Sequence, residues 1–435
     1  MPIAAVPKYL GKDFSQASPG LRFGMYLPLW GTNQRSEELL WSTHDIAYEV
    51  RGQQQQEREV KKENKVTALQ QASALSAADK QIGKAMFQRQ NQIFDHMPTA
   101  QGLRLHATAV APFTTGLGNE HPLENGFAFL NPYGLPYLPG SGVKGVLRTA
   151  AKELASGQWA ASDWEHSKGD LKRHQVHEHN KPNGQQGKHL FNASDIDVLF
   201  GSEALDGENH LRGVLSFWDV IPQIEGNSLM VEIMTPHQSH YYQEDAKKGA
   251  GSTSPHDSGA LTPISFLTVP PKSQFAFHVV CNTTQLEHLA PDLAANERWK
   301  VLLTEAFEHA FAWLGFGAKT SVGYGAMISE DMLEKQQEVA KKREHTEREL
   351  RKQKDAERQQ QNAQAWTGAK VKFNRANKSL SVEKDGQTAV AIQPKGEELL
   401  NTLPADMVKK ITGNQFLKVT AFVAEGVLVK VQPSP

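Results

Sequence analysis

The chain reads as an α+β protein. Three observations carry that reading. Strand-like alternation opens a segment near residue 103, two amphipathic helical patterns follow at 143–154 and 297–314, and further strand patterns lie between and after them. The order over residues 100–330 is therefore strand, helix, strands, helix, strand. A second, smaller β-rich segment occupies residues 366–435.

Each element has its own local reason. Leu103, Leu105, Ala107 and Ala109 alternate with Arg104, His106 and Thr108, the period of a half-buried strand. Val143, Val146, Leu147, Ala150, Ala151 and Leu154 recur at steps of three and four, giving a helix one apolar face. Lys144, Arg148 and Lys152 are spaced by four along another face, and Ser141 is placed to cap the helix start. Apolar pattern returns at Ile196, Val198, Leu199 and Phe200, then as strands at 215–221 and 229–234. Residues 264–269 and 275–281 read as two strands paired around the turn Pro270, Pro271, Lys272, Ser273. In 297–314, Trp299, Leu302, Leu303, Ala306, Phe307, Ala310, Phe311 and Leu314 share one face, and Gly315 sits where a C-terminal glycine cap belongs. A last strand is expected over 322–328.

Outside this core the chain divides as 1–99, 331–365 and 366–435. Residues 1–34 read as irregular and 35–97 as mostly helical, ending at Met97-Pro98 because a residue before proline is pushed out of the helical region. Residues 156–190, with His166, His174, His177, His179 and His189, read as an exposed polar insertion, and 244–262 as a mobile loop. From 331 to 364 nine Lys/Arg and eight Asp/Glu, with Glu338–Lys342, Glu344–Arg348 and Glu347–Arg351 at i, i+4, describe a solvated spacer helix without an apolar seam. The alternation at Val371 and Phe373, Leu380 and Val382, 417–423 and 427–429 suggests a small barrel, an oligonucleotide-binding-type barrel among the options.

Composition narrows the function. The 435 residues carry a net charge of -1, so any contact with nucleic acid is local or shared with partners. The single cysteine, Cys281, excludes an internal disulfide and a thiolate zinc cluster, in keeping with a reducing cytoplasm. No secretory signal and no apolar run of about 18 residues or more is present, so a cytoplasmic protein without membrane contact is expected. No cofactor and no metal is called for.

Two glycine-rich motifs carry the chemistry. The first is Pro139, Gly140, Ser141, Gly142, Val143, Lys144, Gly145; the second is Gly315, Phe316, Gly317, Ala318, Lys319, Thr320, Ser321, Val322, Gly323, Tyr324, Gly325. Glycines let a backbone turn sharply and expose its N–H groups to an anion, and a helix start with basic residues is an anion site of the same kind. The second motif lacks the spacing of a Walker loop. It also follows a helix and enters a strand, the reverse of a dinucleotide fingerprint. Tyr324 can stack on a base or belong to the core. His237 and His240, beside Tyr241 and Tyr242, can support metal-independent acid–base cleavage of RNA or simply hydrogen-bond in a loop. Asp195, Asp197 and Asp219 do not make a two-metal carboxylate set.

Taken in order, residues 139–148, Leu199-Phe200-Gly201, Phe217-Trp218-Asp219 and 315–325 resemble the RAMP superfamily of CRISPR proteins. With Met234, Thr235, Pro236, His237, Tyr241 and Tyr242 added, the chain is similar to the family of sixth subunits of type III-B Cmr effector complexes, over residues 100–330. The resemblance implies a ferredoxin-like, RRM-like core. It also implies a noncatalytic backbone subunit that binds guide CRISPR RNA near its 3′ end, beside neighbouring RAMP subunits of the Cmr complex. Such a subunit helps present the guide to target RNA in antiviral defence. By the same resemblance Ser141, Lys144, Arg148, His237, Gly317, Lys319, Thr320, Ser321 and Tyr324 are RNA-facing. The charged helix and β-rich segment after residue 330 depart from the family pattern.

Overall fold

The computed structural model describes residues 6–434 except 7, 12, 52–55, 160–161, 168–173, 178–189, 203–209 and 236–262. The chain divides into two compact units, 1–333 and 334–435.

In the first unit, hairpin strands β1 (His44–Arg51) and β2 (Gln56–Glu63) precede helix α1 (Ala77–Asp95) and strand β3 (Gly102–Ala109). Helices α2 (Gly140–Ala155) and α3 (Asp195–Phe200) and strand β4 (Leu215–Phe217) follow. Next come β5 (Met230–Met234), β6 (Ile264–Thr268), β7 (Gln274–Cys281), helix α4 (Arg298–His309) and β8 (Met327–Ser329).

Strands β4, β7, β3 and β8 form one sheet in that spatial order, with every pair antiparallel. β3 and β7 are central, so both of their faces must be covered. On one face lie α2 and α4, whose apolar stripes are buried through Val143, Leu147, Ala150 and Ala151, and through Trp299, Leu302, Leu303, Ala306 and Phe307. Phe277 of β7 is the hub there, its ring about 5 Å from those of Phe307, Phe311 and Phe316. On the other face lies α1. Its Phe94 packs against His278 and Trp218, its Asn91 accepts a hydrogen bond from His278 Nε2 at 2.9 Å, and its Asp95 pairs with Arg104 of β3 at 2.7 Å.

The structure corrects several expectations. Residues 44–51 and 56–63, expected to be helical, are the paired strands β1 and β2; in the sequence Ile46, Tyr48 and Val50 alternate with polar residues and Ala47, which favours strand over helix. β6 and β7 are not partners. β6 pairs with β5 and β7 with β3 and β4, because the chain at 270–273 switches sheets, with Lys272 at φ 69° and the Ser273 hydroxyl donating to the Pro270 carbonyl at 2.7 Å. The expected strand over 322–328 shortens to β8, since 320–322 is a single helical turn. The strand expected over 215–221 stops at Phe217, after which Val220 only bridges to Leu138. Among its described residues the polar insertion is not wholly exposed. Trp164 is fully buried and its indole N–H donates to the Leu302 carbonyl at 2.7 Å. His179, His189 and the segment 244–262 lie outside the described residues.

The boundary between the units falls within helix α5 (Glu330–Gln361), where Glu338 and Lys342 pair at 2.7 Å. The second unit then forms a closed five-stranded barrel. Its strands are β9 (Gln364–Asn374), β10 (Ser379–Lys384), β11 (Gln387–Ala391), β12 (Leu417–Ala424) and β13 (Val427–Pro433). The order around the barrel is β9–β10–β11–β13–β12, closing on β9, with β11 and β13 parallel. Helices α6 (Lys395–Asn401) and α7 (Ala405–Thr412) connect β11 to β12. Its core is separate and includes Val371, Leu380, Val382, Leu400, Ile411, Val419 and Leu428.

Two outcomes follow from this packing. Phe277→Ala leaves a hole beneath three rings and is expected to lower stability by about 3–5 kcal/mol, read from urea unfolding. His278 is buried between α1 and β7; burial, reinforced by the charges of Arg104 and His106, holds its pKa at about 4 against an ordinary 6.5. Between those values the unfolded chain binds the proton and the folded one does not, so stability falls as pH drops from about 6.5 to about 4. Unfolding midpoints measured across that window are expected to decline in the parent and to flatten in His278→Gln.

Candidate nucleic-acid interface

The second glycine motif, 315–325, is a loop fixed by main-chain contacts. It begins where α4, extended by one wider turn over Ala310–Leu314, ends with Gly315 at φ 70° and its N–H on the Ala310 carbonyl at 2.8 Å. The expected glycine cap is therefore present. Phe316 then turns inward and is fully buried against Phe277, Phe307 and Phe311. Phe316 N–H donates to the Gly325 carbonyl at 3.0 Å and closes the loop. Ala318 N–H reaches the Thr114 carbonyl and Gly325 N–H the Pro112 carbonyl, both at 2.8 Å. Two positions admit only glycine. A Cβ on Gly317, at φ 92°, would collide with the Thr114 carbonyl oxygen, and one on Gly325, at φ 71°, with that of Phe316.

The tip is held by fewer contacts. Lys319 takes a left-handed conformation at φ 58°, and the turn 320–322 is closed by Val322 and Gly323 N–H groups bonding back to Lys319 and Thr320. Among the described residues the N–H groups of Gly317, Lys319, Thr320 and Ser321 have no hydrogen-bond acceptor. Successive amides around a left-handed residue form an anion-binding concavity. Gly317 and Ser321 are exposed, and Lys319 and Thr320 are half-buried.

The β5–β6 hairpin holds two of these side chains. Lys319 Nζ lies 3.1 Å from Met234 Sδ and 5.5 Å from the centre of the Phe266 ring. No carboxylate pairs with it among the described residues; the neighbours it has there are the thioether and the ring. Tyr324 tilts against Phe266 at 5.8 Å. Burial raises its pKa, and the Glu232 carboxylate, which accepts a hydrogen bond from the phenol, raises it further. Tyr324 is thus engaged by the hairpin through both ring and hydroxyl. The sequence offered no sign of Glu232, Met234 and Phe266 as neighbours, because they converge through sheet pairing.

The first motif is arranged differently. Helix α2 begins at Gly140, one residue before the expected cap, and Ser141 makes no capping bond. The Asp219 carboxylate accepts from Gly140 N–H at 2.7 Å instead. The carboxylate already complements the helix dipole, so this helix start is not the open anion site that the motif suggested. Gly140 itself is required, since a Cβ would strike the Phe217 carbonyl. Ser141 is exposed and Lys144 half-buried without an ion pair among the described residues. Arg148 turns to α3, where it pairs with Asp197 at 3.7 Å. Asp197 in turn closes the capping box of α3 with Ser194, its Oδ2 accepting from the Ser194 hydroxyl at 2.7 Å. Among the described residues no hydrogen bond or ion pair joins the two motifs. His237, His240, Tyr241 and Tyr242 lie outside the described residues.

Among the described residues no group of three His, Cys, Asp or Glu side chains could hold a metal ion, and no helix is long and apolar enough to cross a membrane. Cys281 is buried, which pushes its thiol up to about 12 and removes it as a nucleophile.

The glycine-rich loop between α4 and β8 thus closes on the residues that follow β3. A profile of the RAMP superfamily matches residues 106–328, just over half of the chain, and the chain belongs to that superfamily. Within it the chain is similar to the CRISPR system Cmr subunit Cmr6 of Pyrococcus furiosus, with 29% identity over 238 residues. The match covers 49% of this chain and 64% of that protein. Among solved structures, a type III-B Cmr-beta complex bound to cognate target RNA contains a chain matching at 17% identity with a TM-score of 0.37, over 61% of this chain and 69% of that one. The crystal structure of Cmr6 from Pyrococcus furiosus matches at 23% identity with a TM-score of 0.28, over 52% of this chain and 97% of that one.

The loop geometry makes a contrast testable by thermal unfolding. Gly317→Ala combines a positive φ with a backbone collision and is expected to cost at least about 1–3 kcal/mol. Gly323→Ala has a positive φ but open space around it, so the smaller loss of the two is expected there.

Proposed function

We propose that this chain is a noncatalytic RNA-binding backbone subunit of a type III-B CRISPR effector complex. It would hold guide RNA near its 3′ end beside neighbouring RAMP subunits and help present the guide to target RNA. The observation that carries the reading is the loop tip at 317–321, where, among the described residues, four main-chain N–H groups lack an acceptor and the Lys319 ammonium lacks a carboxylate partner. That set suits a phosphodiester backbone, which needs donors and charge but no base-specific contact. Membership of the RAMP superfamily and the likeness to Cmr6 support the same reading. The strand order β4–β7–β3–β8 with α2 and α4 on one face supports a ferredoxin-like core, and the barrel order with helices between its third and fourth strands supports an oligonucleotide-binding-type domain. Ser141, Lys144, Gly317, Lys319, Thr320 and Ser321 are the residues assigned to RNA, with Arg148 and Tyr324 in supporting contacts and His237 retained from the sequence. A ribonuclease reading through His237 and His240 draws on no described residue. A cytoplasmic location goes with this assignment.

The double variant Lys144→Ala, Lys319→Ala is expected to weaken guide binding and to flatten its salt dependence by about 1.4 in the log–log slope, at roughly 0.7 per lost phosphate contact. Parental guide retention and slope in the purified complex would overturn the assignment. Specific, EDTA-resistant cleavage of labelled RNA that disappears in His237→Ala would show the chain to be an enzyme.

A further inference from the structure

The barrel of the second unit carries a surface that its own fold does not explain. From Phe416 to Val423 the side chains alternate between outside and core, the pattern ending at Ala424, which is buried beside Val423. Val419, Ala421 and Val423 point into the barrel core, and Phe416, Lys418, Thr420 and Phe422 point outward. Phe416 is 73% exposed, a large apolar side chain with no internal use. Across the ladder to β9, Lys418 stands directly opposite Lys370. Like charges facing each other in an antiparallel pair repel and destabilise the sheet. Lys372, two residues along β9, extends the charge, and it lines the same shallow depression as Phe416. At the other end of the stripe Lys430 of β13 lies 5.7 Å over the ring of Phe422. One carboxylate is nearby: Glu383 of β10 stands opposite Lys370, and no ion pair forms between them. The lysines are all exposed.

We propose that this outer face of β9 and β12 is a second binding site for single-stranded RNA. Two independent features select that ligand. The opposed lysines are a cost to the folded domain that a polyanion running across them removes. The exposed Phe416 and the Lys430-backed Phe422, about 20 Å apart along the strand at roughly 3.4 Å per residue, offer flat faces on which unpaired bases stack. A duplex hides its base faces and would reward the lysines alone. The site is distinct from the glycine loop and stands whether or not that loop binds guide RNA.

The test uses the full chain and a fluorescein-labelled uridine-rich RNA of about 20 nucleotides, with anisotropy titrations over a range of salt and ultraviolet crosslinking mapped by mass spectrometry. Lys370→Gln, Lys372→Gln and Lys418→Gln together are expected to weaken binding at least tenfold and to reduce the log–log salt slope by about 2, at roughly 0.7 per lysine. Phe416→Ala is expected to weaken binding about fivefold or more while leaving the slope unchanged, as loss of a stacking platform does. Crosslinks are expected within 364–433, and they should persist in Lys319→Ala, which separates this site from the loop. Parental affinity and slope in both variants, or crosslinks confined to residues before 334, would overturn the proposal. So would a triple variant that keeps parental RNA affinity but drops a protein from the assembled complex, since the face would then be a protein dock.

Discussion

Two carbonyl oxygens, those of Pro112 and Thr114, decide the shape of the first unit's candidate interface. They leave the end of β3 and take the N–H groups of Gly325 and Ala318, which fixes the loop at both of its ends. The Thr114 carbonyl comes so close that residue 317 must lack a side chain, and the Phe316 carbonyl imposes the same on residue 325. With the ends fixed, Phe316 is directed into the ring cluster around Phe277, and the amides at the tip have no acceptor among the described residues. The exposed donors are therefore a result of core packing. They need no partner to hold them in place, and such preorganisation lowers the ordering cost of a ligand.

Much of this was legible in the sequence because it is local. The apolar stripe that includes Trp299, Leu302, Leu303, Ala306 and Phe307 is written at helical spacing, and the glycine after Leu314 marks the end of the helix. The same holds for 143–154 and for the charged helix. What was not legible depends on pairing over long separations. Asp219 replaces Ser141 as the partner of the α2 N-terminus although 79 residues separate it from Gly140. The strands around 270–273 look like a hairpin, yet they belong to different sheets, because β7 must fill the centre between β3 and β4. The paired strands β1 and β2 are rich in Gln, Glu and Lys, a composition that helices share and that hides their weak alternation. Lys319 and Tyr324 were singled out from the sequence, but their sulfur, ring and carboxylate neighbours arrive only with β5 and β6.

Charge in this protein is arranged locally. The chain is close to neutral, and several cations of interest are already occupied: Arg148 by Asp197, Arg104 by Asp95. Those pairs position helices against the sheet. Lys319, by contrast, is held by a thioether and a ring, and the barrel lysines face each other. Residues with identical formal charge thus separate into those that fasten the fold and those left with field to spare.

Helix α1 gives this arrangement a further meaning. It lies on the sheet face opposite α2 and α4, covering His278 and packing beside Arg104 and Trp218. Sheets that read RNA do so on an open face, where aromatic side chains stack bases and strand edges question them one at a time. Here that face is closed, and what remains at the loop tip is a set of amides and one ammonium. Such groups respond to a phosphate and ignore the base attached to it. On the function proposed above, a strand that met this unit at the loop would be gripped without being read, and its letters would stay free to be read by another strand.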